Sequence, residues 1–343
     1  MIKRVRVNQV RGGGSYFAAP KSNVGFIPTG CKTFDLALGG GWAEDRIANI
    51  VGDKSTGKTL LCIESAANFH SKYPDGKIYY RECEAAFDTR YAEELGMPID
   101  AVDFGEPFET VEDMFDDLMR IVEKAKKPSL YILDSLDSLT DRAELERDMS
   151  QGSYGAEKAK KLSQLFRRLV RKLSNAHVSV IIVSQIRDKI GVTFGKKTTR
   201  SGGRALDFYA SQVVSLAQVK TIKRTVSGIE RPEGISIKAR VDKNKISLPL
   251  REAEFDLLFG FGVDDLGSCL EWLKTVNSLN ELGIDKKAIK RFSRKLYEGD
   301  ESDYHDKLEE IHRIVEKRWY EIEQSFMPSR RKYRNGKNKR NSF

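Results

Sequence analysis

The sequence predicts an α/β domain with a mostly parallel central sheet flanked by helices, and three observations predict it. Apolar runs of strand length recur at 46–52, 129–136 and 178–185. Longer segments between them repeat their apolar residues at helical spacing. The runs are continuous and do not alternate with polar residues. Strands of that kind are covered on both faces, as parallel strands joined by helical crossovers are.

Taken in order, "RIANIVG" (46–52) reads as a strand and "KTLLCIESAANFH" (58–70) as a helix. "KIYYRECE" (77–84) is a strand. "TVEDMFDDLMRIVEKAKK" (110–127) is a helix with Phe115, Leu118, Met119 and Val122 on one face, ended by Pro128. "SLYILDSL" (129–136) is a strand, 155–175 a helix with Leu162, Phe166, Leu169 and Leu173 as its buried stripe, and "VSVIIVSQ" (178–185) the next strand. "QVVSLAQVK" (212–220) and "GISIKARVDKNKI" (234–246) are two more. After about residue 267 the pattern turns helical and charged, as in a small C-terminal domain. The expected division is an arm (1–27), a core (28–266), a C-terminal helical domain (267–328) and a basic disordered tail (329–343).

The 343 residues suffice for one large core and a satellite domain. No apolar run reaches the length of a membrane span, and the N-terminus lacks the apolar stretch of a secretory signal, so a cytoplasmic protein without a membrane partner is expected. Cys31, Cys62, Cys83 and Cys269 are scattered without a CxxC pair, which argues for reduced thiols over a disulfide framework or a zinc site. The net charge of +9 is concentrated at the ends: Lys3, Arg4, Arg6 and Arg11 near the start, and "SRRKYRNGKNKRNSF" at the finish. Such ends are either solvated tails or DNA-contacting segments.

"GDKSTGKT" is Gly52-x4-Gly57-Lys58-Thr59 between a strand and a helix. In that context Gly52, Asp53, Lys54, Ser55, Thr56 and Gly57 form a loop whose backbone N–H groups wrap phosphates. Lys58 would reach the β- and γ-phosphates, and the Thr59 hydroxyl would ligate Mg²⁺. "LYILDS" supplies a strand ending in Asp134, the acid expected to hold the same metal. A nucleoside-triphosphate site follows. Hydrolysis also needs a base or water-orienting group; Glu82 and Glu84 in "YYRECEAAFD" stand near a strand end, two positions apart and so on the same side.

These motifs, in this order, resemble the RecA family of bacterial recombinases from about residue 28 to about residue 270. "PTGCKTFDLALGGGW" is similar to the family's segment before the phosphate loop, and "ECEAAFDTRYAEELG" to the segment carrying its catalytic Glu, which falls on Glu84. "QIRDKIGVTFG" with "SGGRALDFYAS" resembles its second DNA-binding loop, and "KNKISLPLREAEFDLLFGFGVD" the segment after it.

The resemblance implies a RecA-like P-loop ATPase core using ATP and Mg²⁺. It implies a helical filament of identical subunits on single-stranded DNA that pairs it with homologous duplex DNA. Single-strand-binding and loader proteins are further partners in that setting. Asp88 and Tyr91 fall where the family holds adenine, and Gln185 where the sheet meets the γ-phosphate. Arg187, Gly202, Gly203 and Arg204 fall on backbone-contacting positions of the second loop (186–203), and Ile190 on its apolar wedge. Ser163 and Arg167 fall on phosphate contacts after the first loop (147–156), and Tyr154 on that loop's wedge. Lys243 and Lys245 match lysines that reach a neighbour's γ-phosphate, and Phe208 an interface residue.

The chain also departs from the family. The arm is short, and its "SYFAAP" places Tyr16 and Ala19 at the aromatic-x-x-Ala spacing of archaeal and eukaryotic polymerisation motifs. The paired arginines of the secondary DNA site fall on Ala217 and Gln218, with Lys220, Lys223, Arg224, Lys238 and Arg240 nearby. The tail is basic where bacterial members carry acids. These differences point to a divergent or phage-encoded member. A ring helicase of the same fold and a non-hydrolysing, ATP-gated recombination mediator are the alternative readings. The first expects a separate N-terminal domain; the second is opposed by the intact set Lys58, Glu84, Asp134 and Gln185.

Overall fold

Residues 24–142, 155–173, 176–188, 198–200 and 203–328 are described by the structure, a computed structural model. Tyr16, Ala19, Tyr154, Ile190, Gly202 and the basic tail lie outside them, and for Arg187, Gly203 and Arg204 the backbone alone is described.

The described chain opens with β1 (Phe26–Ile27), α1 (Lys32–Leu38) and β2 (Trp42–Ala43), with β1 and β2 antiparallel. The alternating part follows as β3 (Ile47–Gly52), α2 (Lys58–Lys72), β4 (Lys77–Glu82), α3 (Thr89–Glu94), β5 (Val102–Asp103), α4 (Val111–Lys124), β6 (Ser129–Asp134), α5 (Gly155–Leu173) and β7 (Val178–Asp188). Then come β8 (Thr198–Arg200), α6 (Gly203–Tyr209), β9 (Gln212–Val226), β10 (Ile229–Asn244), β11 (Glu252–Leu258) and β12 (Gly262–Asp264). The C-terminal helices are α7 (Asp265–Thr275), α8 (Ile289–Tyr297) and α9 (Glu301–Ser325).

One large sheet runs in the order β12-β11-β10-β9-β3-β7-β6-β4-β5, with β8 on β7. From β9 through β3, β7, β6 and β4 to β5 every pairing is parallel; β9, β10, β11 and β12 pair antiparallel among themselves. β3 and β6 are buried at every position, because helices cover both faces. Side chains alternate between two cores. Ile50, Ile78, Leu130, Ile132, Ile181 and Val183 meet Leu61, Cys62, Ala66 and Phe69 of α2. Ile47, Val51, Tyr131, Leu133, Val180 and Ile182 meet the stripes of α4 and α5. All four residues expected on each stripe are buried there. Local chemistry sets the α4 start: the Thr110 side chain accepts the Asp113 N–H at 3.2 Å, and Glu112 and Asp113 lie in the first turn, next to the positive end of the helix dipole. A third core, with Leu266, Cys269, Leu270, Leu273, Ile311 and Val315, joins the C-terminal helices to Leu36 of α1.

Three boundaries differ from the sequence expectations. The α4 helix ends at Lys124, with Ala125 already extended, so it stops short of the positions that Pro128 restricts. The β7 strand runs past Gln185 to Asp188 and pairs antiparallel with Thr198–Arg200, so the segment after Gln185 starts as a two-stranded ribbon. The strands at 212–220 and 234–246 are one long hairpin, turning at Ser227 (φ 51°) and Gly228 (φ 80°). Two central residues with positive φ are the turn that suits right-twisted strands. The distal hairpin escapes an apolar-pattern reading because it buries little and is held by a backbone ladder; the largely exposed "TIKRT" run carries no core signal.

Candidate functional site

Parallel pairing brings several strand ends to one edge of the sheet. Gly52 stands beside Gln185, and Glu82 beside Asp134. Ligands of open α/β sheets bind outside such carboxyl ends. A cleft of about 730 Å³ opens there. Lys54 through Leu60 form its floor, Glu84, Asp134 and Gln185 one wall, and Asp88, Tyr91, Ile235, Leu257 and Phe259 the other lining.

The loop from Gly52 to Thr59 is shaped by its own bonds. Ser55 (φ 58°) and Gly57 (φ 77°) adopt left-handed conformations, which aim successive N–H groups to one side. A Cβ at Gly57 would stand 2.2 Å from Leu257 Cδ1, so only glycine fits between loop and β11. Lys58 Nζ donates to the Asp53 carbonyl at 2.6 Å, and Lys54 N–H to Asp53 Oδ1 at 2.7 Å. Burial holds Lys58 below the usual lysine range, against the pull of Asp134 and Glu84. An anion arriving in the loop relieves that burial cost.

Thr59 Oγ1 donates to Asp134 Oδ2 at 2.7 Å, and the phenol of buried Tyr80 donates to the same oxygen at 3.0 Å. Burial pushes the Asp134 carboxyl up, opposed by those two bonds. A hydroxyl and a carboxylate at this separation are the hard-oxygen donors that Mg²⁺ takes beside phosphates. The donor set, the glycine cradle and the cleft volume fit a Mg-nucleoside triphosphate.

The two glutamates near the β4 end have different surroundings. Glu82 accepts the N–H groups of Glu84, Ala85 and Ala86 at 2.8, 3.0 and 3.2 Å and fastens the turn. Glu84 faces the cleft. Its Oε1 accepts Ser135 Oγ at 2.6 Å and Gln185 Nε2 at 2.7 Å. The Gln185 N–H donates to Asp137 Oδ2 at 2.6 Å, which anchors its backbone while the side chain reaches Glu84. Asp88 caps α3 by accepting the Tyr91 N–H at 3.1 Å, and the Gly260 N–H donates to the Tyr91 hydroxyl at 3.4 Å.

Lys243 and Lys245 stand apart from this cleft. Lys243 pairs with Val213, which lies beside Asn49, and the Lys245 N–H donates to Ser211 O while the Ser211 N–H donates to Ile47 O. Lys243 is thus level with Asn49 and Lys245 with Ile47 at the opening end of β3, about 10 and 16 Å from its Gly52 end at strand rise. Both ammonium groups donate to the Phe208 carbonyl, Lys243 at 2.8 Å and Lys245 at 3.2 Å. Phe208 is 68% exposed. On α5, Ser163 is half-buried and Arg167 exposed, both beside Tyr209.

Sequence reasoning missed Tyr80, Ser135, Asp137, Ile235, Leu257 and Phe259. Ser135 and Asp137 directly follow the Asp134 strand, and Phe259 is an exposed aromatic next to a glycine; those were the available signals. Ile235 and Leu257 read as ordinary core.

A family model described as the RecA N-terminal domain matches residues 7–264. A "Protein RecA" of Prochlorococcus marinus is 36% identical over 267 residues, 77% of this chain and 68% of that protein. Another of that name, from a Synechococcus species, is 35% identical over 282 residues, 82% of this chain and 71% of that protein. None of the described helices is long and apolar enough to cross a membrane.

Proposed function

The chain belongs to the RecA family, and on that premise we propose that it is a DNA-dependent ATPase that forms helical filaments on single-stranded DNA and exchanges strands with homologous duplex. The observation that supports this reading is the Gln185–Glu84 hydrogen bond, which joins the cleft carboxylate to the strand that continues into the β7–β8 ribbon. Gln185 trades Glu84 for an oxygen of the γ-phosphate when ATP fills the cleft. Glu84, released from Gln185 and still held by Ser135, then takes the proton of the attacking water. Lys58 turns from the Asp53 carbonyl to the phosphates, and Thr59 and Asp134 would hold Mg²⁺, which would supply charge neutralisation at the transferred phosphoryl group. Asp88, Tyr91 and Phe259 hold the base side.

The DNA side joins Ser163 and Arg167 on α5 to the second loop, with Arg187, Ile190, Gly202, Gly203 and Arg204; Tyr154 belongs to the first loop. Lys243 and Lys245 serve the cleft of the neighbouring subunit, because neither lines its own and both turn to the Phe208 carbonyl. Phe208 seals that contact.

Incubation with circular single strands, homologous linear duplex and ATP tests the function: joint molecules and DNA-stimulated phosphate release are expected. Closed rings in negative stain would favour a ring helicase, and ATP-gated DNA binding without turnover a mediator.

A pH dependence follows from Lys243. Burial, and after it the neighbouring Lys245, push its ammonium down to about 8. Beside a neighbour's phosphate it would return towards an ordinary lysine value of about 10.4. Between these values the free protomer has lost a proton that the assembled one keeps, so assembly takes up a proton. ATP-dependent filament formation should therefore weaken as pH rises through about 8, and be insensitive to this group below about 7. Sedimentation across that range checks it; an equal dependence in Lys243→Ala would reassign the titration to another group.

A further inference from the structure

On α5, Ser163 and Arg167 are one turn apart and share a face. Arg167 is exposed, yet its Nε–H donates to the phenol oxygen of Tyr209 at 3.3 Å. The Ser163 side chain stands beside the same phenol. Tyr209 is itself held in place: its ring lies 6.5 Å from that of buried Phe166 and packs edge-on against Phe208 at 5.0 Å. It closes α6, the helix that begins with Gly203 and Arg204 of the second loop. One phenol thus connects the helix after the first loop to the helix after the second.

The atom used matters. A guanidinium meets a phosphate best through parallel N–H groups, and a bond at Nε leaves the terminal amino pair free. A fixed acceptor at Nε removes much of the freedom of an otherwise solvated arginine, so the fork is orientated before DNA arrives. The Arg167 bond also holds the Tyr209 phenol below its usual range, as expected for an acceptor of a charged donor.

We propose that Tyr209 is a positioning residue for single-stranded DNA, acting by orienting Arg167 towards a backbone phosphate. This rests on the reading of α5 as a DNA-contacting helix.

The test is a double-mutant cycle read by fluorescence anisotropy of a labelled oligothymidylate at saturating non-hydrolysable ATP analogue, over several salt concentrations. Tyr209→Phe keeps the ring against Phe166 and Phe208 and removes only the acceptor. Arg167→Ala should weaken binding and flatten the slope of log affinity against log salt by about 0.7, one single-strand phosphate contact. Tyr209→Phe should weaken binding about three- to tenfold, the worth of one hydrogen bond, with the slope unchanged. In the Arg167→Ala background the Tyr209→Phe change should have no further effect. Wild-type affinity for Tyr209→Phe beside a weakened Arg167→Ala would overturn the positioning role and leave the DNA reading of α5 standing. Equal losses from Tyr209→Phe in both backgrounds would also overturn it, since Tyr209 would then act without Arg167. Wild-type binding by Arg167→Ala would remove α5 from the DNA interface and the proposal with it.

Discussion

Replacing Glu84 by Gln leaves ATP and single-stranded DNA binding intact and lowers turnover by about 10²–10⁴-fold, the range for loss of a general base. The amide keeps the size of the carboxylate and an oxygen to accept from Ser135 and Gln185, so the cleft should hold its shape. It loses the basicity. Glu82 cannot take over, because its carboxylate is spent on three backbone N–H groups of the turn that carries Glu84. The measurement is steady-state phosphate release with saturating DNA beside a nucleotide-binding titration. Turnover near wild type would take Glu84 out of the chemistry.

Lys243→Ala should weaken ATP-dependent assembly far more than nucleotide binding by dilute protomers, since its ammonium lies outside its own cleft. The larger effect appears on mixing. A Lys243→Ala protomer keeps Glu84, and a Glu84→Gln protomer keeps Lys243. At an interface where the first offers the cleft and the second the lysine, every part is present. Head-to-tail contacts between equal amounts create such interfaces at roughly a quarter of positions under random mixing. Turnover of the mixture should therefore rise well above that of either protein alone. Filaments shown by two labels to be mixed, yet silent, would place both groups in one chain.

The parts of the fold legible in the sequence were those that bury apolar surface. The strands at Ile47–Gly52 and Ser129–Asp134 are buried at every residue, and the α4 and α5 stripes face one core, so periodicity finds them. The long hairpin and the β7–β8 ribbon were illegible beyond their roots, because backbone pairing there needs no apolar pattern. In the cleft, the loop from Gly52 to Thr59 is local in sequence and carries its spacing openly. Tyr80, Ile235, Leu257 and Phe259 come from separate strands and loops, and only the three-dimensional pairing brings them in. The contact between Gln185 and Glu84, which are 101 residues apart, was likewise invisible, although each was singled out for its own place.

That contact is the centre of the account, in which Gln185 is proposed to sense the γ-phosphate and to pass its presence to the ribbon that follows it. The direct measurement compares single-stranded DNA affinity in a non-hydrolysable ATP analogue with that in ADP, for wild type and Gln185→Ala. Wild type should bind at least about tenfold more tightly with the triphosphate, a coupling of about 1.4 kcal/mol or more. In Gln185→Ala both nucleotides should still bind, and the ratio should collapse towards one. A variant that keeps the wild-type ratio would contradict the account, because the nucleotide state would then reach the DNA without Gln185.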